Sequence, residues 1–175
     1  MKIIAAVAID GAIGKNNQLL WYIPEDLREY KLKTLDNICI VGVNTFYSLP
    51  ATALMGRVHI VVSGYEDDKE IDVPHGANVH HIIHLDDAIE LAEELKHPWQ
   101  EIYIIGGAQM YESTLDLVDE VEITWVNKMY PDADRKFPVA KLNDQFKKVD
   151  ETDWKMSEEG LEFKHTTYKR NNEQD

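Results

Sequence analysis

Residues 101–115 read EIYIIGGAQMYESTL. By period this is a short apolar strand, a double glycine and the opening of a helix. Gly106 and Gly107 let the backbone approach a ligand closely, and the N–H groups that open the following helix can face an anion. The same glycines equally serve tight helix-to-strand packing, so the pair alone does not decide between a ligand and a packing role.

Strands and helices alternate along the rest of the chain. KIIAAVAI (2–9) is an apolar run of the kind buried on both faces of a sheet, and ICIVGV (38–43), RVHIVVS (57–63), VHHIIH (79–84) and EVEITWV (120–126) are further strands. Between them lie a helix begun at Pro24, a short one that Asn44 or Thr45 can cap and Pro50 ends, and the amphipathic run LDDAIELAEELKHP (85–98). Alternation of strand and helix predicts a largely parallel α/β sheet. Beyond a long loop through PDADRKFP, QFKKVDETDWK and LEFKHTTYKR alternate and flank SEEG, which predicts a terminal antiparallel hairpin. Ligands of such sheets bind at the carboxyl ends of the strands.

The helix at 24–34 carries a chemical question. Pro24 suits its first position, and Ile23, Leu27, Tyr30 and Thr34 recur on one face. At roughly 100° per residue, Asp26 falls about 40° from Tyr30 at the edge of that face, while Glu25, Arg28 and Glu29 point away. An acid in a first turn is favoured by the helix dipole. Yet Trp21, Pro24, Leu19 and Leu20 make poor surroundings for an unpaired carboxylate. A ligand edge with two N–H donors would satisfy it.

With 175 residues the chain is long enough for one core, expected as a single domain over 1–170 with a polar tail at 171–175. Its net charge of −14 argues against nucleic acid. No apolar run reaches membrane-spanning length, and the one cysteine, Cys39, lies in a strand, so a reducing, cytoplasmic setting and no membrane partner are expected. Neither G-x-G-x-x-G nor a P-loop is present, the histidines lack metal-ligand spacing, and no nucleophile elbow occurs. Arg57, beside Gly56 at the start of a strand, could fork onto a ligand carboxylate or simply be solvated.

Taken in order, AAVAIDGAIGKNNQLLWYIPEDL, VGVNTFYSLP, LMGRVHIVVS, YIIGGAQMY and ITWV…DADRKFP resemble dihydrofolate reductase across nearly the whole chain, with W-x-x-P-x-D-L the most specific element. The resemblance implies a central, mostly parallel eight-stranded sheet with about four helices and a C-terminal antiparallel hairpin. It implies hydride transfer from NADPH to C6 of dihydrofolate with a proton at N5, by a monomer whose only partner is that small molecule. Asp26, Trp21 and Thr124 are then catalytic: Asp26 grips the pterin, Thr124 bonds the carboxylate and Trp21 holds a water. Ile4, Ala5, Leu27, Tyr30, Leu49, Ile105 and Tyr111 would line the substrate pocket, with Arg57 and Lys31 on the glutamate tail. Ala6, Ile13, Gly14, Leu19, Gly42, Asn44, Thr45, Ser63, Gly106, Gly107, Ala108 and Gln109 would hold the cofactor, with Gly106 and Gly107 joined by a cis peptide. The segment from Gly14 to Leu20 matches the mobile loop, supported by Asp134.

Four positions depart from the pattern. Leu20 replaces a proline, Val43 an arginine that reaches cofactor phosphates, Arg135 a threonine, and the turn Ser63-Gly64-Tyr65 lacks a basic residue that His59 or His84 would have to replace. They bear on cofactor affinity and loop kinetics rather than on the chemistry. A riboflavin-pathway reductase of the same fold and a non-catalytic folate- or nucleotide-binding relative remain as alternatives.

Overall fold

The computed structural model describes residues 1–64 and 70–172; Tyr65 of the basic-residue-free turn and tail residues 173–175 lie outside them. In chain order the elements are β1 (Lys2–Ala8), β2 (Ala12–Gly14), α1 (Pro24–Thr34), β3 (Ile38–Gly42), α2 (Val43–Ser48), α3 (Ala51–Leu54), β4 (Val58–Val62), β5 (Asn78–Ile82) and α4 (Leu85–Leu95). There follow β6 (Ile102–Ile104), α5 (Ala108–Thr114), β7 (Glu120–Val126), β8 (Arg135–Lys136), α6 (Val139–Gln145), β9 (Phe146–Glu151), β10 (Lys155–Met156) and β11 (Glu162–Arg170).

The main sheet runs β10-β11-β7-β1-β6-β3-β4-β5, with β9 also on β11. From β7 to β5 all pairs are parallel, and β11 adds the antiparallel edge with β9 and β10 folded onto it. The mostly parallel sheet and C-terminal antiparallel region are thus as expected. Among the described residues there are six helices rather than about four. The additional two are short and follow prolines: Pro50 ends α2 but also stands as N-cap of α3, and Pro138 does the same for α6. A two-stranded sheet of β2 and β8 also escapes the sequence pattern, because its strands are too short to show a period.

One expectation about β1 changes. Ile3, Ala5 and Val7 are buried, but Ile4 and Ala6 are only partly covered. They face a cavity, so the strand is not sealed on both sides. Beneath the sheet, Ile3, Val7, Val121 and Ile123 pack with Leu115, Leu142 and Phe146 in the larger core. Above it, Ile23 and Trp21 at the start of α1 pack on Val126 and Phe163. This seating fixes which way Asp26 points.

Candidate active site

Two strand ends meet at one edge. The turn from β3 into α2 and the turn from β6 into α5 are tied by a hydrogen bond from the Gly42 N–H to the Gly106 carbonyl at 2.8 Å. Gly106 has φ +122°, a conformation available to glycine and rarely to other residues, and its peptide bond to Gly107 is cis. A Cβ on Gly107 would lie 2.9 Å from Thr45 Oγ1. The double glycine therefore serves the approach of two backbone turns. Contrary to the expected cap, neither Asn44 nor Thr45 precedes α2: Gly42 is the N-cap, and no side chain caps α2 or α5. The first-turn N–H groups of each helix have no partner inside it, and both helix starts border the cavity.

That cavity has a volume of ≈ 1050 Å³. The residues expected to be catalytic, to bind substrate or to hold the cofactor all line it except Arg57. Arg57 is buried instead, its Nε donating to Thr34 Oγ1 at 2.7 Å, its Nη1 to the Met55 carbonyl at 2.5 Å and its Nη2 to the Lys31 carbonyl. Of its five N–H donors these bonds use three, leaving one on each terminal nitrogen. Lys31 and Thr52, which do reach the cavity, are joined by an Nζ-to-Oγ1 bond of 2.9 Å. His59 cannot stand in for a basic residue at the wall, since it is fully buried in β4 with neither ring nitrogen hydrogen-bonded. Burial holds its pKa down at about 4. His84 does line the cavity.

At the other end α1 lies across β1, β7 and β11. The register places Ala6 opposite Thr124 and Thr124 opposite His165, a row of three side chains across adjacent strands. Asp26 reaches this row from above. Thr124 Oγ1 donates to Asp26 Oδ1 at 2.6 Å. The pKa of Asp26 is raised: burial is the largest cause, and the Thr124 bond and nearby His165 oppose it. Burial thus disfavours the ionised form of this carboxylate at the cavity wall, while the Thr124 hydroxyl and His165 favour it.

Two neighbours on α1 do not point away as expected. Glu25 Oε1 accepts the Glu158 N–H at 2.8 Å, because the turn before β11 folds over the helix start. Glu29 Oε2 stands 2.7 Å from His165 Nε2. His165 went unnoticed in the sequence because its strand pairing, not its position in the chain, brings it to Thr124.

The segment between β2 and α1 is also anchored. Asn16 and Asn17 both have positive φ, forming the tip of a Lys15–Gln18 hairpin. The Asn16 N–H donates to Asp134 Oδ2 at 3.0 Å and the Asp134 N–H to the Gly14 carbonyl at 3.2 Å.

The sequence profile of the dihydrofolate reductase family matches residues 1–170. The chain belongs to the dihydrofolate reductase family. It is 31% identical over 168 residues to the dihydrofolate reductase of Neisseria meningitidis, covering 96% of each chain. With the type 9 dihydrofolate reductase of Escherichia coli it shares 35% identity over 131 residues, 72% of this chain and 70% of that one. An Enterococcus faecalis dihydrofolate reductase, solved in complex with NADP(H) and RAB-propyl, has the same fold with a TM-score of 0.78 at 24% identity, over 98% of this chain and 96% of that chain. The W-x-x-P-x-D-L run that marks the family is the one that delivers Asp26 to Thr124. No helix among the described residues is long and apolar enough to cross a membrane.

Proposed function

We propose that this dihydrofolate reductase converts 7,8-dihydrofolate to tetrahydrofolate, with hydride added at C6, a proton at N5 and NADPH oxidised. The observation that carries the reading is the Asp26–Thr124 pair, a partly buried carboxylate anchored by a hydroxyl at the wall of a cavity of ≈ 1050 Å³. With one oxygen engaged by Thr124, the rest of the carboxylate is left to accept two N–H donors from the pterin edge. Its raised pKa makes a proton available at the pocket when N5 gains basicity. Trp21 borders the same space and would position the water through which that proton passes.

Leu27, Tyr30, Leu49 and Ile105 supply apolar walls, and the Tyr111 hydroxyl is anchored to the Ile4 carbonyl at 2.9 Å, so it shapes the wall rather than bonding a ligand. Lys31 reaches the cavity, and Arg57 behind it would have to turn its two unused N–H groups toward that space to fork onto the tail carboxylate. When bound, the reduced nicotinamide supplies the hydride. The residues present fit such a cofactor: two glycine-built turns leave a cradle that a Cβ at Gly107 would fill, next to two uncapped helix starts. Ser63, Thr45 and Gln109 add polar groups along it, and the Asn16–Asp134 tie holds the neighbouring loop where it can exclude water. The enzyme is proposed to act in the cytoplasm as a monomer.

The test follows reduced-nicotinamide absorbance on addition of dihydrofolate, with NADPH and NADH in parallel. Turnover with NADPH is expected. Binding of folate without turnover by either cofactor would replace this function with that of a non-catalytic relative.

A further inference from the structure

Asp26 separates two spaces. One is the ligand cavity; the other is a void of ≈ 20 Å³ between α1, β7 and β11, room for about one water. His165 borders only the smaller one. From there it closes a hydrogen-bond chain: Asp26 Oδ1 to Thr124 Oγ1 at 2.6 Å, Thr124 Oγ1 to His165 Nδ1 at 3.0 Å, and His165 Nε2 to Glu29 Oε2 at 2.7 Å. Direct contact between His165 Nδ1 and Asp26 Oδ1 is longer, at 4.0 Å, so the hydroxyl is the link.

Counting protons restricts what this chain can be. A threonine hydroxyl has one hydrogen, and a neutral imidazole has one N–H. Against an ionised Glu29 carboxylate, the 2.7 Å contact has Nε2 as the donor. If Thr124 then donates to an ionised Asp26, its oxygen must accept from Nδ1, and His165 is a cation. If His165 is neutral, Nδ1 must accept from Thr124, and Asp26 has to carry the proton and donate to Thr124. The two arrangements hold the same number of protons. They interconvert when Nδ1 passes its proton to the Thr124 oxygen while the Thr124 hydrogen moves to Asp26 Oδ1, leaving Asp26 and His165 both neutral. A proton from solvent then returns the imidazole to its charged form.

We propose that His165 is a positioning residue for Asp26, sharing one proton with it through the Thr124 hydroxyl and setting the charge of the carboxylate from behind the ligand cavity. The groups that face this pair are few. From α1 come Asp26, Glu29, Tyr30 and Lys33, from β7 Glu122, and from β11 His165 itself; β1 contributes the apolar Ile4. Lys33 Nζ lies 3.4 Å from both Glu29 and Glu122, which offsets the two acids. The role rests on the reductase function proposed above, but the shared proton is measurable without turnover.

The experiment uses His165→Gln and His165→Phe in the full chain. A glutamine keeps an N–H for Thr124 but cannot carry the charge; a phenylalanine keeps neither. Infrared difference spectra against Asp26→Asn follow the carboxylic-acid carbonyl band of Asp26 with pH in the ligand-free protein. In both variants the band should persist to a pH about one unit higher than in the wild type, because an opposite charge beside the carboxylate is gone. The pH profile of single-turnover hydride transfer should move the same way by the same amount, about tenfold in proton concentration. A wild-type midpoint in His165→Gln overturns the proposal, whatever His165→Phe does, since His165 would then be only a hydrogen-bond donor. A wild type that fails to reduce dihydrofolate would overturn the reductase function, while the infrared comparison still decides the shared proton.

Discussion

The two ends of the cavity are built by different means. At the Asp26 end, side chains do the work: a carboxylate from α1, a hydroxyl from β7 and an imidazole from β11 meet within hydrogen-bond distance. At the Gly106–Gly107 end the backbone does it, through two turns that touch through Gly42 and Gly106. The difference teaches where each end is vulnerable. A side-chain site is broken by changing a functional group that the fold does not need; a backbone site is broken by adding a methyl group.

The largest effect is expected at the first end. Asp26→Asn should lower the hydride-transfer rate by about 10²–10⁴ at neutral pH while the fold is kept, measured by single turnover and circular dichroism. It should also stabilise the protein. Because burial raises the Asp26 pKa, the folded state binds this proton more tightly than the unfolded chain, so the ionised carboxylate costs stability as pH rises through that window. Denaturant unfolding should therefore find Asp26→Asn the more stable at pH 7 and equal to the wild type in acid.

The backbone end predicts a different signature. Gly107→Ala places a Cβ 2.9 Å from Thr45 Oγ1, so the Thr45 side chain or the turn that carries it must shift. The expected result is a KM for the nicotinamide cofactor raised about tenfold or more, with folate affinity little changed. Equal losses for both ligands would mean that the ends are not independent.

A third contrast lies beneath the site. Asp26 keeps a partner for its charge, whereas His59 is buried with none. Its pKa is held down at about 4, so the neutral ring contributes stability that is complete above its ordinary value of 6.5 and lost as pH falls from there toward 4. The loss is on the order of 3 kcal/mol. His59→Leu should remove most of that acid sensitivity in urea unfolding between those pH values. The smallest effect is expected at the loop: Asp134→Ala releases the Asn16 N–H and should change kcat/KM a few-fold without moving the midpoint of the pH profile.

How much of this was legible in the sequence follows the same division. W-x-x-P-x-D-L and the helical period placed Asp26 on α1 at the edge of the buried face, and the alternation of strands with helices predicted the largely parallel sheet. Thr124 entered through family resemblance alone, since nothing local marks it. His165 was missed because its importance is a matter of register: it sits opposite Thr124 only once β11 pairs antiparallel with β7. Glu29 was assigned to solvent by its angle on the helix, although its side chain is long enough to return to the sheet edge and meet that histidine. Arg57 was expected at the cavity and is instead held behind it by two backbone carbonyls and Thr34, contacts that spacing in the sequence does not reveal.

The measurement that tests the central claim most directly is the pH dependence of hydride transfer to dihydrofolate in a single turnover, wild type against Asp26→Asn. In the wild type the rate should be highest at low pH and fall as pH rises through a midpoint above the ordinary carboxylate range, since protonation is what Asp26 favours. The variant should be slow, without that inflection. Overlapping profiles for the two proteins would contradict the assignment of Asp26 as the ionisable group of the pocket.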